Sequence, residues 1–295
     1  MNPTEKSTDW LEMRAIEIGI ILVIVLLIFG IVLTSIENDG QKVIKTQKTN
    51  NMEKVIGEVA DNLINSPGTP ENWNEYGKGT VGLAIVNEGG EIIPNSVSYE
   101  KLIALGNDYD TIVYERMFDS KIKTSMELIS KDSTVSSVKI GQLEKGDSIY
   151  SATRLVKCDF FKGHVIKDFH DGKCNKNHNQ NLTSCNYFKI FPKNLKNSDY
   201  YLLVDEGEKY DLKYIIETTR IAKERPWQTA LSERIYLNDK IDFYDDDSAV
   251  VFVHLDKPDA KAVLVSVPKD FNEDFLKYPY FKTNECKFIL RAWYD

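Results

Sequence analysis

The chain has 295 residues, with 37 Lys and Arg against 45 Asp and Glu for a formal net charge of −8, and it is 42% hydrophobic and 11% aromatic. That apolar content excludes a disordered tail and allows one large or two small packed domains. The acidic balance excludes a nucleic-acid partner, whose phosphates call for a basic face.

Residues 1–15 form a short polar segment. The stretch Ile18–Ile36 reads IGIILVIVLLIFGIVLTSI without a charge, and about 20 such residues in helical form cross a hydrocarbon core about 30 Å thick. A transmembrane helix is therefore expected over 16–37. A cleaved secretory signal would have a shorter apolar core, about 7–15 residues, and a small-residue cleavage site. This run leaves through Thr34, Ser35, Ile36 and Glu37, so it reads as an uncleaved anchor with the lipid bilayer as partner.

Lys42, Lys45, Lys48 and Lys54 follow the segment and by the positive-inside rule would keep the bulk of the chain in the cytoplasm. An even count of cysteines, Cys158, Cys174, Cys185 and Cys286, and the glycosylation pattern Asn181-Leu182-Thr183 favour an oxidising space. The expected location is the cell membrane, single-pass, with the C-terminal domain extracytoplasmic.

Over 38–66, apolar residues at Met52, Val55, Ile56, Val59, Leu63 and Ile64 step by three and four, which predicts an amphipathic extension of the same helix. Asn65-Ser66-Pro67-Gly68 ends it. Residues 67–295 then read as a mixed α+β domain. Strands are expected over Val81–Val86, Ile122–Ile129, Thr134–Ile140, Ser148–Cys158, Asn186–Phe191 and Tyr200–Val204, and helices over Tyr99–Leu105, Tyr109–Phe118 and Leu212–Lys223. Ala249–Leu255, Ala260–Val267 and Lys287–Tyr294 read as a closing antiparallel meander, with Lys257-Pro258-Asp259 as a hairpin loop. The fold expected is α+β, a long N-terminal helix packed on an antiparallel sheet.

Ser66-Pro67-Gly68-Thr69-Pro70-Glu71-Asn72-Trp73, followed by Val81-Gly82-Leu83-Ala84, resembles an S-P-G-x-P-x-N-W and G-L-A signature of archaeal pilin-like membrane proteins. Tyr99-Glu100-Lys101-Leu102 and Leu290-Arg291-Ala292-Trp293 extend the likeness. It implies a type IV pilin-like architecture and, as partners, other pilin-like subunits or surface proteins. Ser66, Pro67, Gly68, Pro70, Asn72 and Trp73 carry the signature, and Pro67, Pro70 and Gly68 suit a stiff reversal under a large ring. Glu17 would serve as the pilin glutamate only with cleavage between Glu12 and Met13, where the small residue and basic cluster are missing. It reads as a membrane-boundary residue.

His164, His170 and His178 fall among Cys158, Cys174 and Cys185 in a polar insertion at about 158–186. His170, Cys174 and His178 have a spacing that suits zinc, weighed against a disulfide-stapled surface loop in which Cys174 with Cys185 and Cys158 with Cys286 is one of three pairings. Asp242, Asp245, Asp246 and Asp247 lack the EF-hand pattern and read as a solvated turn. No nucleophile motif or phosphate-binding glycine loop occurs. The expected function is a non-catalytic, membrane-anchored pilin-like structural or interaction protein without a cofactor, with a ligand-binding or sensor domain as the alternative and an anchored hydrolase as the third reading.

Overall fold

The computed structural model describes residues 51–76, 79–87, 89–145, 148–169, 183–218, 226–243 and 247–294. The chain divides into two units, Met1–Ile56 and Gly57–Asp295. Of the first, residues 51–56 are described, as the opening turns of helix α1 (51–65).

In the rest of α1, Ala60, Leu63 and Ile64 are buried, the spacing of an amphipathic helix face. Then follow α2 (Trp73–Tyr76), β1 (Ile85–Val86) and β2 (Ile92–Ile93) as a small antiparallel pair, β3 (Ser96–Ser98) and α3 (Tyr99–Asn107). A π-helical segment (Asp110–Met117) leads to β4 (Ile122–Ser130), β5 (Val138–Gly141) and β6 (Tyr150–Asp159). Next come β7 (Val165–Asp168), β8 (Ser184–Ile190), α4 (Pro192–Asn197), β9 (Ser198–Val204), β10 (Lys213–Thr218), β11 (Gln228–Thr229) and β12 (Arg234–Tyr236). The last strands are β13 (Ala249–Leu255), β14 (Ala262–Pro268) and β15 (Thr283–Tyr294).

A five-stranded sheet runs β3-β6-β15-β4-β5, antiparallel except for the parallel pair β3 and β6. Period-two alternation sets its faces: Met126, Leu128, Val156, Phe288 and Leu290 are buried, while the intervening residues face outward. Arg154 reaches Asp61 of α1 through two hydrogen bonds of 2.6 and 2.9 Å and so ties the helix to the sheet.

Two further sheets, β11-β10-β13-β8 and β12-β9-β14-β7, share a core that includes Phe188, Leu202, Val204, Val251, Val253 and Leu264, as the inner faces of a β-sandwich do. The second face of β14 is covered as well. Val263, Val265 and Val267 are buried, and the Tyr278–Phe281 and Lys162–His164 turns lie against β14. The sandwich leaves the five-stranded sheet after Asp159 and rejoins it at Thr283, and those two residues are cross-strand partners. It is an insertion between two neighbouring strands.

This corrects the expected fold. Among the described residues no long N-terminal helix packs on one antiparallel sheet; the architecture is mostly β, in several sheets with short helices. The predicted polar segment and transmembrane span, 1–37, lie outside the described residues, and among the described residues no helix is long and apolar enough to cross a membrane. The single-pass anchoring expected from composition thus finds no support in the fold.

At element level, β13 and β14 belong to different sheets, so Lys257-Pro258-Asp259 crosses between the layers of the sandwich instead of turning a hairpin. The helix expected at Leu212–Lys223 is strand β10 over Lys213–Thr218. Leu212, Ile215 and Ile216 have helical spacing, but a short apolar run buried on both faces satisfies either period.

Candidate functional site

The S-P-G-T-P-E-N-W segment forms a locked junction between α1 and the rest of the fold. Trp73 is 2% exposed, and its indole N–H donates to Gly82 O at 2.9 Å. Thr69 and Thr80 exchange backbone hydrogen bonds of 3.0 and 2.9 Å, and Ala84 N donates to Ser66 O at 2.9 Å. Gly68 has φ +85, and a Cβ there would sit 2.3 Å from Trp73 Cδ1, so only glycine fits. Lys101, only 9% exposed, donates to Pro67 O at 2.9 Å and Ala84 O at 3.4 Å. Burial holds its ammonium below the usual lysine range. Asn72 donates to Glu75 at the surface. Ser66, Pro67, Gly68, Pro70, Asn72 and Trp73 are thus brought together, and the hydrogen bonds they make are internal.

A cleft of about 770 Å³ opens on the outer face of the five-stranded sheet. Register builds it: Lys287 on β15 lies opposite both Leu155 on β6 and Ile129 on β4, and Glu285 lies opposite Lys157. Leu155 is 75% exposed although it sits mid-strand. Lys131 joins from the end of β4, and Pro94 and Asn95 close the far side. Asn95 is pinned there because its N–H donates to Asn65 Oδ1 at 3.0 Å and its carbonyl accepts from Lys157 N at 2.9 Å.

Three lysines therefore surround an apolar floor, with Glu285 as the carboxylate of the lining. Lys131 bonds Glu285 at 3.0 Å and holds its carboxyl below the ordinary range. Farther down the same face the charges are matched internally. Arg291 pairs with Glu127 at 2.8 Å and Glu144 at 3.6 Å, and Lys139 pairs with Glu144 at 2.7 Å. Cationic excess is thus concentrated at the cleft end. The three lysines come from β6, β15 and the residue just past β4 and share no local motif, so only the sheet register reveals them.

The cysteines correct one of the two bridges expected. Cys185 is disulfide-bonded, and its expected partner Cys174 lies outside the described residues, but Cys158 and Cys286 are buried free thiols. The register gives the reason: Cys158 faces Asn284 and Cys286 faces Val156, so the two are diagonal neighbours. Diagonal residues lie about 7–8 Å apart, whereas a disulfide needs Cα atoms about 4.4–6.8 Å apart. The thiol of Cys158 hydrogen-bonds to Cys286, and that bond together with burial pushes it far above the usual thiol range.

His170, Cys174, His178 and Asn181 lie outside the described residues, and among the described residues no group of three or more His, Cys, Asp or Glu is placed to hold a metal ion. Cys185 Sγ is 2.9 Å from His254 Nδ1, and His254 Nε2 is 3.4 Å from Glu217. Cys185 is disulfide-bonded and His254 makes a further interaction, so this row is an engaged polar rank and not a free nucleophile with its base. His164 donates to or accepts from nothing in the cleft; its Nδ1 lies 3.2 Å from Ser266 O at the sandwich boundary.

No protein-family model, curated protein or solved structure matches this chain.

Proposed function

We propose that this protein is a non-catalytic binding protein whose sheet cleft takes a small amphiphilic anion, with an apolar body and a carboxylate or comparable head. The observation that carries the reading is the meeting of Lys131, Lys157 and Lys287 around an exposed leucine in a cleft of about 770 Å³. That volume falls in the usual range for small-molecule sites, about 300–1,000 Å³, which pair apolar walls with a few placed polar groups.

A non-catalytic role is supported by the nucleophiles in the lining. Cys286 is 3% exposed and hydrogen-bonded to Cys158, and the Ser130 hydroxyl accepts from Asp132 N at 3.1 Å. No histidine lines the cleft, so neither group has the base that nucleophilic catalysis uses.

The test is calorimetric titration of the full chain with decanoate and with decanol. Decanoate is expected to bind, with decanol weaker by about tenfold or more, since a charge-assisted hydrogen bond contributes about 1.5–3 kcal/mol and 1.4 kcal/mol is tenfold. The double substitution Lys157→Ala and Lys287→Ala removes that preference. Equal affinity for the two compounds, or affinity unchanged in the double variant, overturns the reading.

A further inference from the structure

Just past the end of β6, Phe161 is the hub of an aromatic cluster where the chain leaves for the sandwich. Its ring lies 5.3 Å from Tyr99 at 72° and 5.0 Å from Phe271 at 80°. Phe275 is 5.4 Å away at 44°. Tyr99 and Phe271 therefore stand nearly perpendicular to the Phe161 plane, one belonging to α3 and the other to the segment after β14. Between these elements runs a groove of about 580 Å³, lined along one face of α3 by Tyr99, Glu100, Ile103 and Ala104 and on the other side by Asp270, Phe271 and Phe275.

The charges of that lining are Glu100 and Asp270, both exposed carboxylates. The lysines next to them in sequence are drawn elsewhere. Lys101 donates to Pro67 O and Ala84 O, and Lys269 pairs with Asp199 at 3.8 Å. Lys162, next to the hub, donates to Thr283 Oγ1 at 3.4 Å. Aromatic faces set at right angles, with carboxylates at the rim and no cation among them, attract a positive charge that is itself weakly hydrated. A cation within about 6 Å of a ring centroid is held by the ring quadrupole, and quaternary ammonium groups are the ligands such aromatic cages recognise. A primary ammonium is more strongly hydrated and carries donors that the rings cannot satisfy.

We infer that the groove between α3 and the Asp270–Phe275 segment is a second ligand site, separate from the sheet cleft, and that its ligand is a small quaternary ammonium compound free in solution. The ring cluster supplies the walls and Glu100 with Asp270 the counter-charge.

The experiment is titration of the full-length chain by calorimetry with choline and, in parallel, with its uncharged isostere 3,3-dimethylbutan-1-ol. Choline is expected to bind and the isostere to bind at least about tenfold more weakly, because only the charge differs. Phe271→Leu and, separately, Glu100→Gln are each expected to weaken choline binding by about threefold to tenfold. Glu100 is exposed, so its variant keeps the test valid if Phe271→Leu perturbs folding, which a thermal melt reports. Equal affinity for the two compounds, loss of neither variant's affinity, binding only to phosphatidylcholine vesicles, or no choline binding up to about 50 mM each overturns the inference. The decanoate titration is unaffected by any of these outcomes, so the two sites stand or fall apart.

Discussion

Trp73 and Gly68 are matched as ring and hollow. An alanine at position 68 would place a methyl against Trp73 and would need an L residue at φ +85, a combination that costs several kcal/mol when neither part can relax. Gly68→Ala is therefore expected to lower the thermal midpoint by many degrees, and Trp73→Phe by less, since it loses the Gly82 hydrogen bond and part of the ring, about 1–3 kcal/mol. Both shifts are read from thermal or denaturant unfolding. Asp159 makes stability depend on pH. Burial raises its carboxyl to about 6, outweighing its backbone hydrogen bond and Lys162, with Glu100 adding to the rise and Lys101 opposing it. A carboxyl whose folded value lies above its unfolded value keeps more protons in the native state, so its effect on stability turns unfavourable as pH climbs from about 4 through about 6. Asp159→Asn is expected to raise the urea midpoint at about pH 7 and leave it unchanged near pH 4; the same gain at both values would refute the assignment.

At the scale of elements, strands whose two faces differ in polarity were legible. Ser148–Cys158 predicts β6 nearly in place, Lys287–Tyr294 predicts the C-terminal part of β15 but not its start at Thr283, and Tyr99–Leu105 predicts most of α3, which Ser98 caps. What misled was burial on both sides. Leu212, Ile215 and Ile216 lose their period because β10 has the sandwich core on one face and cover on the other. Sheet membership was not legible either, since β13 and β14 are neighbours in sequence yet pair in different layers. The cleft was invisible for a related reason: Lys131, Lys157 and Lys287 become neighbours only through the β4-β15-β6 register. Elements also differ in what they contribute. Leu264, buried between the sandwich layers, is expected to cost about 2–5 kcal/mol on substitution by alanine. Arg154→Ala, which breaks the half-exposed contact to Asp61 on α1, is expected to cost no more than about 1 kcal/mol. Denaturant curves of the two variants measure the ratio.

Taken whole, the molecule has a sandwich set into the spine of another sheet. Strand β15 lies between β6 and β4 and provides the long ladders that join them, so a chain ending at Lys282 would lack the centre of the five-stranded sheet. Limited proteolysis of that truncation is expected to cut within β4 and β6 while the sandwich strands β8, β9, β10, β13 and β14 stay resistant, because the core of the sandwich is drawn from its own strands. Uniform digestion of both parts would mean that the sandwich depends on the sheet for its own stability.

Asp159 and Thr283 face each other across one ladder, with the whole sandwich strung between them. During synthesis the first sheet must therefore wait, half zipped and with β6 lacking a partner on one side, until the intervening strands have emerged and β15 follows them. A sandwich that gathers itself early would bring the two ends together and turn a distant closure into a local one. In such a chain the inserted body is the clamp that lets its host be completed.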